Sequence, residues 1–310
     1  MKLNIADLFK IPSNLEPVSL KEFGIYSPKV WVKRDDLIHD VISGNKWRKL
    51  KYNLQDFIRS NNNGILTFGG AHSNHIDAVA FIAKALKIPT IVIIRGEKPH
   101  ELSPTLKRCI QMGIELHFYQ RKEYKDLSKN QSWIKGKFPD YYIIPEGGAN
   151  ANGIKGCEEI VAEINVGFDE IYCDVGTGAT CAGISKALKK HQGVNGIVVL
   201  KGAEYLKKEI YQFLKINKAS ASIDNVQLLH NYHMGGYGKK NKELISFMRK
   251  FYENTGIKTD PIYSGKMFYG LIKELQKRNS GKEKNIIALH SGGLQGVEGY
   301  ENRYRLKIYE

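Results

Sequence analysis

Lys46 lies in a local sequence that suits an amine nucleophile. The run Val30-Trp31-Val32-Lys33-Arg34-Asp35-Asp36-Leu37 predicts a strand, and a glycine-bearing turn separates it from the helix expected between Lys46 and Phe57. Lys46 is therefore expected at a helix start, near the positive end of the helix dipole and near Arg48 and Lys49. These charges favour the neutral amine, which is the form of lysine that attacks a carbonyl carbon to give a Schiff base.

Several short motifs that follow one another in a fixed order carry a family resemblance. They are Lys33-Arg34-Asp35-Asp36-Leu37, Gly44-Asn45-Lys46-Trp47-Arg48-Lys49-Leu50, Gly69-Gly70-Ala71-His72-Ser73-Asn74-His75, Pro145-Glu146-Gly147-Gly148, Gly176-Thr177-Gly178-Ala179-Thr180-Cys181-Ala182-Gly183, Asp260-Pro261-Ile262-Tyr263-Ser264-Gly265-Lys266 and His290-Ser291-Gly292-Gly293-Leu294. Each glycine-rich motif is a weak signal alone, but the ordered set, which spans about residues 30 to 300, is strong. The chain resembles the 1-aminocyclopropane-1-carboxylate deaminase and D-cysteine desulfhydrase family of pyridoxal-phosphate enzymes.

Short apolar strands alternate with amphipathic helices, which predicts a parallel α/β architecture. Strands are expected at 30–32, 65–68, 90–94, 115–119, 141–144, 170–174, 196–200 and 285–289, and helices at 74–86, from Ser103-Pro104 onward and at 124–135. The resemblance implies fold type II, the tryptophan-synthase-β-like fold, with two lobes and a three-layer parallel-sheet sandwich. We expect a small lobe, residues 55–155, inserted in a large cofactor-binding lobe, residues 1–54 and 156–310.

The composition is that of an ordinary globular protein with a basic surface. The net charge is +15, but the lysines are scattered through predicted helices, so we expect a solvated surface that can attract a carboxylate substrate and an anionic cofactor, with no nucleic-acid partner. No apolar run approaches the roughly 18 residues of a membrane span, and residues 1–7 do not resemble a signal peptide. Cys109, Cys157, Cys173 and Cys181 form no metal-ligand pair. We expect a cytoplasmic homodimer with reduced thiols, no metal site and no membrane partner.

The cofactor that the resemblance implies is pyridoxal 5'-phosphate, carried on Lys46. A glycine-rich turn between a strand and a helix can bind an anion through main-chain N–H groups, and the resemblance assigns the phosphate to Gly176, Thr177, Gly178, Ala179 and Thr180. It also implies that Lys49 contacts the phosphate, although spacing alone makes a solvated helix residue equally plausible. Asn74 would bind the pyridoxal hydroxyl, and Ser264 and Ser291 would lie near the cofactor ring.

The substrate residues implied by the resemblance are Ser73, Asn74, His75, Tyr237 and Tyr263. Ser73 would bind the substrate carboxylate, and His75 is expected to line the pocket without carrying a proton. Tyr237 and Tyr263 lie in glycine-containing segments and are candidates for orienting a leaving group or relaying a proton.

Two serines bear on the reaction type. In the deaminases a glutamate occupies the position of Ser264 and a leucine that of Ser291. A hydroxyl stabilises a protonated pyridine nitrogen less well than a carboxylate, so we expect β-elimination from a small D-amino acid, with D-cysteine giving pyruvate, sulfide and ammonia. The alternatives are the deaminase reaction, which gives 2-oxobutanoate and ammonia, an L-amino-acid lyase of the same fold, and a binding protein without turnover.

Overall fold

The chain divides into two units, which a computed structural model describes over residues 8–42, 44–216, 223–278 and 284–309. Unit 1 comprises Met1–Asn45 and Cys157–Glu310, and unit 2 comprises Lys46–Gly156. Unit 2 is therefore inserted in the sequence of unit 1. Residues 1–7, on which the signal-peptide expectation rests, lie outside the described residues.

Ten strands are present within the described residues. Their bounds are β1 (Leu15–Leu20), β2 (Ile25–Lys33), β3 (Gly64–Gly69), β4 (Thr90–Arg95), β5 (Glu115–Tyr119), β6 (Tyr141–Ile144), β7 (Glu170–Val175), β8 (Gly193–Val198), β9 (Val226–Leu229) and β10 (Asn285–Leu289). Short β-branched and apolar runs of this kind are typical of buried parallel strands.

Eleven α-helices occur in the same part of the chain. They are α1 (Asn45–Arg59), α2 (Asn74–Leu86), α3 (Pro104–Gln111), α4 (Arg121–Lys129), α5 (Gln131–Lys137), α6 (Ala151–Ala162), α7 (Ala179–Ala187), α8 (Leu206–Lys215), α9 (Lys242–Thr255), α10 (Ser264–Gln276) and α11 (Gln295–Tyr304).

Unit 1 is built on a six-stranded sheet in the order β1-β2-β10-β7-β8-β9. In this sheet β2, β10, β7, β8 and β9 are parallel to one another, and β1 pairs with β2 as an antiparallel edge strand. Apolar side chains of β2, β7 and β10 form one buried core with α9 and α10, which includes Val32, Phe251, Phe268 and Ile286. The carboxyl ends of parallel strands lie at one edge of a sheet, so the segments after β7, β8 and β10 begin at the same edge.

Unit 2 contains a four-stranded parallel sheet in the order β5-β4-β3-β6. Alternate residues of β4 point to opposite faces: Val92 and Ile94 pack with α2 and α3, whereas Ile91 and Ile93 pack with Tyr124 of α4 and with α5. Helices therefore cover both faces, and every residue of the central strand β3 is buried. The predicted parallel α/β class is confirmed.

Some predicted elements have different bounds. The helix expected at 124–135 is two helices, because Asn130 ends α4 and its side chain accepts a hydrogen bond from the main-chain N–H of Trp133 in the first turn of α5. The strand expected at 196–200 lies at Gly193–Val198, where it pairs with β7 and β9. The polar edge strand β1 was not predicted. By contrast, Asn74–Leu86 and the Ser103-Pro104 helix start match the prediction.

The large lobe was expected to end its first segment at residue 54, but the first segment of unit 1 ends earlier. Helix α1 packs within unit 2: Asn53 donates hydrogen bonds to the carbonyl of Lys49, at 2.7 Å, and to the side chain of Asn150, at 3.2 Å. A Cβ at Gly156 would overlap the carbonyl oxygen of Arg48. The boundary therefore lies at the start of α1, between Asn45 and Lys46.

The expectations about cysteine pairing and membrane spans can be compared with the described residues. The four cysteines, all within the described residues, are buried and form no disulfide. No helix in the described ranges has both the length and the apolar character needed to span a membrane.

Candidate active site

The main chain just before Lys46 is fixed by a close approach to the segment after β10. Gly44 has a φ of +67°, and a Cβ at this position would overlap the carbonyl group of Ser291. The next residue, Asn45, donates its N–H to that carbonyl oxygen at 3.2 Å, and its side chain donates to the Thr180 hydroxyl at 3.1 Å. A glycine is required here for both space and conformation.

The Lys33-Arg34-Asp35-Asp36 motif holds this same region of unit 1. Lys33 is buried and paired with Glu163 at 2.7 Å. The carbonyl of Asp35 accepts the N–H of Gly44 at 2.7 Å, and Asp36 donates its N–H to the carbonyl of His290 at 3.0 Å. The motif is therefore structural: its main-chain groups tie the turn before Lys46 to β10.

His75, in the first turn of α2, is held as a neutral ring with a defined tautomer. The Thr67 hydroxyl donates to the carbonyl of Ile144 at 2.8 Å, so it can only accept from His75 Nε2, also at 2.8 Å. The hydrogen is thus on Nε2, and the buried Nδ1 atom carries a lone pair with no hydrogen-bond partner. Burial, reinforced by the charges of Lys46 and Lys49, lowers the pKa of His75 to about 3. Within unit 2, this ring is an acceptor near two lysines.

The start of α2 offers hydrogen-bond donors to a carboxylate. Ser73 is the N-cap, and its hydroxyl oxygen accepts the N–H of Ile76 at 3.4 Å, which leaves its own hydrogen able to donate. Asn74 is the first residue of the helix and is buried. The helix dipole favours a negative group at this end.

The turn from Gly176 to Thr180 joins β7 to α7. Gly178 is the N-cap of α7 and adopts φ +85°, and it provides no side-chain cap for the helix start. The Thr177 Oγ1 atom is buried without a hydrogen-bond partner. Buried hydroxyls are normally satisfied, so a turn with free main-chain donors and an orphaned hydroxyl fits an anion such as phosphate.

Tyr263 and Tyr237 meet in unit 1, next to this turn. Their ring centroids are 5.9 Å apart at an interplanar angle of 76°. A Cβ added at Gly176 would lie 3.2 Å from the Tyr263 ring, so the ring covers the turn. Burial, followed by the Tyr237 phenol and the charges of Asp174 and Asp260, raises the pKa of Tyr263 well above its ordinary value. Tyr263 therefore keeps its hydroxyl hydrogen at neutral pH.

Each of the two serines expected near the cofactor ring is paired with a buried carboxylate. Ser291 donates its hydroxyl hydrogen to Asp174. Ser264, the first residue of α10, donates to Asp260 at 2.7 Å and accepts the N–H of Asp260 at 2.8 Å. Both serine oxygens can therefore act mainly as acceptors towards a third group. Sequence reasoning missed both aspartates; the signal for Asp174 was its place at the end of β7, just before the glycine-rich turn.

The predicted site residues thus fall into two local sets. Within unit 1, the structure brings together the Gly176–Thr180 turn, Tyr237, Tyr263 and Ser291. Ser264 follows Tyr263 directly and begins α10. Within unit 2, Lys46 and Lys49 lie near His75, and Ser73 and Asn74 precede it at the same helix start.

Known proteins match this chain over nearly its whole length. The family profile described as pyridoxal-phosphate dependent enzyme matches residues 13–292. A protein of Pyrococcus furiosus, provisionally named a 1-aminocyclopropane-1-carboxylate deaminase, is 34% identical over 88% of this chain and 87% of its own length. The bifunctional D-cysteine desulfhydrase/1-aminocyclopropane-1-carboxylate deaminase of Arabidopsis thaliana is 30% identical over 87% of this chain and 73% of its own. The solved structure of an ACC deaminase homologue matches this chain with a TM-score of 0.82 and 29% sequence identity. The match covers 96% of this chain and 94% of that chain.

These matches and the site define the class: the chain belongs to the pyridoxal-phosphate dependent enzymes. Within that class, it falls in the group of 1-aminocyclopropane-1-carboxylate deaminases and D-cysteine desulfhydrases, and it has fold type II. The predicted family, fold class and cofactor are confirmed. The residues present fit the cofactor, since the orphaned Thr177 hydroxyl and the uncapped start of α7 can receive its phosphate.

The glycine-rich turn generates a first prediction. In Gly178→Val, the new side chain would meet Ile210 Cγ1, which lies 2.7 Å from an ideal Cβ, in a backbone conformation that valine rarely adopts. We expect its Kd for pyridoxal phosphate, measured by titration, to rise more than about tenfold. Thr177→Ser keeps the hydroxyl and is the matched control, with affinity close to that of the parent protein. Equal affinities of the two variants would contradict a main-chain phosphate site.

A second prediction concerns the acid stability of unit 2. Because the pKa of His75 is lowered, the unfolded chain binds a proton between about pH 6.5 and pH 3 that the folded chain does not, so stability falls as the pH falls through this window. His75→Gln removes the titrating ring. We expect the parent protein to lose about 3 kcal/mol more unfolding free energy than this variant between pH 7 and pH 4, measured by denaturant titration.

The control for this measurement is His191→Gln, at an exposed position in unit 1, which should follow the parent protein. The explanation fails if His75→Gln and His191→Gln show the same acid dependence.

Proposed function

We propose that this enzyme catalyses β-elimination from D-cysteine, with one water consumed and pyruvate, hydrogen sulfide and ammonia released. The observation that carries the proposal is the pair Ser264 and Ser291, which places hydroxyls where the deaminases of the family have glutamate and leucine. The Arabidopsis thaliana relative is named for both the desulfhydrase and the deaminase reaction, so similarity to this group does not by itself decide between them.

Roles toward the cofactor would fall to residues that the family motifs supply. Lys46 would bind the aldehyde carbon of pyridoxal phosphate, the Gly176–Thr180 turn and Lys49 would bind its phosphate, and Asn74 would bind its ring hydroxyl. When bound, pyridoxal phosphate supplies an electron sink for the electron pair left at the substrate Cα. Support for the role of Lys46 comes from the fixed main chain at Gly44 and Asn45, since a restrained backbone positions the amine that follows it.

The substrate carboxylate is bound by Ser73 and Asn74 at the start of α2. The Lys46 amine would accept the proton from the substrate Cα. His75, the alternative base in this part of unit 2, is the weaker candidate, because burial and the charges of Lys46 and Lys49 lower its pKa to about 3. His75 lines the pocket and presents an acceptor atom.

The departing sulfur is oriented by Tyr263 with Tyr237. A phenol whose pKa is raised keeps its hydrogen at neutral pH. In this proposal Tyr263 would therefore act on the sulfur as a hydrogen-bond donor and not as an acid that transfers its proton completely. A thiolate leaves as a stable anion and needs no stronger acid. The phenol therefore sets geometry, and the leaving group itself accepts the electron pair.

The serines favour this elimination over ring opening. Opening a cyclopropane ring requires a strong electron sink, which a carboxylate at the pyridine nitrogen provides by stabilising the protonated ring. A neutral serine oxygen does this less well. The deaminase reaction is the second candidate, because the Asp174 carboxylate accepts the hydroxyl hydrogen of Ser291 and so places an acidic group next to this serine. The Pyrococcus furiosus relative is provisionally named for that reaction.

The reaction type is tested with a panel of substrates. D-cysteine, L-cysteine, β-chloro-D-alanine, D-serine and 1-aminocyclopropane-1-carboxylate are incubated with the holoenzyme, and sulfide, pyruvate and 2-oxobutanoate are quantified. We expect sulfide and pyruvate from D-cysteine, with kcat/KM at least about tenfold above that for L-cysteine, and no 2-oxobutanoate. Production of 2-oxobutanoate without sulfide would establish the deaminase instead.

The role of Lys46 is tested by chemical trapping. Borohydride reduction of the yellow holoenzyme should attach the cofactor to Lys46, as located by peptide mass spectrometry, and Lys46→Ala should lose both the adduct and turnover. Lys49→Ala is the matched control: it should keep the adduct on Lys46 but need more cofactor for saturation. An adduct on another lysine of the parent protein would overturn the assignment.

A further inference from the structure

Lys266 is a fully buried lysine that the proposed reaction does not use. It lies in the first turn of α10, with 0% of its side chain exposed. Its Nζ atom donates to the carbonyl oxygens of Gly236, at 2.8 Å, and Val199, at 3.2 Å. Both acceptors are neutral main-chain groups, so the ammonium gains no direct ion pair from them.

The burial of this charge costs free energy at neutral pH. Desolvation lowers the pKa of Lys266 to about 8, and the charge of Asp260 opposes this only in part. An apolar side chain of similar volume would avoid the cost, and such replacements of buried charges are often neutral or stabilising. Stability alone therefore does not explain Lys266, and its two hydrogen bonds indicate a further role.

The two carbonyls belong to segments that meet α10 near the tyrosines. Val199 directly follows β8. Gly236 belongs to the tyrosine loop, which we define as residues Met234–Gly238 and which lies in turns without strand pairing. A second anchor of this loop is Tyr304, whose hydroxyl donates to the carbonyl of Gly238 at 2.8 Å. Lys266 and Tyr304 thus hold the loop on either side of Tyr237.

Helix α10 links this anchor to the second tyrosine. Tyr263 is the N-cap of α10, three residues before Lys266, and its main-chain carbonyl accepts the N–H of Met267 at 3.0 Å. The lysine and Tyr263 therefore share one rigid helical turn. Any displacement of the tyrosine loop from Lys266 also displaces Tyr237 from the Tyr263 ring.

We propose that Lys266 is a positioning residue, whose bonds to Gly236 and Val199 hold Tyr237 against Tyr263. Its effect on catalysis rests on the proposed function, in which this tyrosine pair orients the leaving group. Without the lysine, the Val199 carbonyl loses this donor and the Gly236 carbonyl keeps only the 3.5 Å bond from the Lys239 N–H, which lies in the same segment. The loop then no longer has a fixed distance from α10. The chemical step should slow, whereas substrate capture at the start of α2 should not change.

The test compares Lys266→Met, which keeps the volume but removes the donor, with Lys266→Gln, which keeps N–H donors without the charge. Lys273→Met, on the same helix, controls for the loss of a lysine from α10. For each holoenzyme we measure amide hydrogen exchange of residues 234–240, kcat and KM for D-cysteine, and the denaturation midpoint.

For Lys266→Met we expect loop exchange at least about tenfold faster, kcat lowered about tenfold or more, KM within about twofold, and an unchanged or higher midpoint. Lys266→Gln should recover part of the exchange protection and of kcat, and it decides the question if the methionine variant does not fold. Lys273→Met should resemble the parent protein.

The outcomes separate this inference from the proposed function. Exchange is measured without substrate, so faster loop exchange in a protein that processes no member of the substrate panel would support the positioning role and reject the reaction. An active parent protein with unchanged loop exchange and kcat in Lys266→Met would overturn the inference. So would a lower midpoint with faster exchange throughout the chain, because it would make Lys266 a general structural residue.

Discussion

The contact between Gly44 and the carbonyl of Ser291 is the constraint on which the proposed site most depends. It allows no side chain at residue 44, and it places the Ser291 carbonyl where Asn45 can donate to it. The main chain of Gly44 and Asn45, which directly precede Lys46, is therefore fixed within unit 1. Lys33, Asp35 and Asp36 stabilise the same arrangement through buried pairs and main-chain bonds. The residues that directly precede Lys46 are thus held by main-chain contacts.

Buried charges in unit 1 are used to hold polar groups in place. Asp260 accepts the N–H groups of Ile262, Tyr263 and Ser264, so it fixes the start of α10. Asp174 receives the hydroxyl of Ser291. Because the cost of burying a carboxylate is offset only by such bonds, these aspartates restrict the local geometry more strongly than apolar packing would. The serines, which are central to the proposed reaction, are consequently held by two aspartates to which the sequence analysis assigned no role.

In unit 2, burial and neighbouring charges determine the protonation state of His75. His75 is buried beside Lys46 and Lys49, and the resulting low pKa keeps it neutral. Thr67 and the carbonyl of Ile144 determine which ring nitrogen carries the hydrogen. A neutral acceptor in this position supports the proposal that the Lys46 amine, and not His75, takes up the proton. The arrangement accounts physically for the expectation that His75 lines the pocket and is not a proton carrier.

The sequence by itself determined the class of fold, because alternating apolar runs reflect local rules of strand, turn and helix formation. The family and the cofactor came from the resemblance that its ordered motifs carry. It also placed Ser73 and Ser103 at helix starts, where capping depends on only a few neighbouring residues. Only the tertiary structure decided which groups partner Ser291, His75 and Lys266. Asp174 and Ser291 are separated by more than one hundred residues, and their contact arises because β7 and β10 are adjacent in one sheet. Pairings of this kind follow from sheet order, which local patterns do not encode.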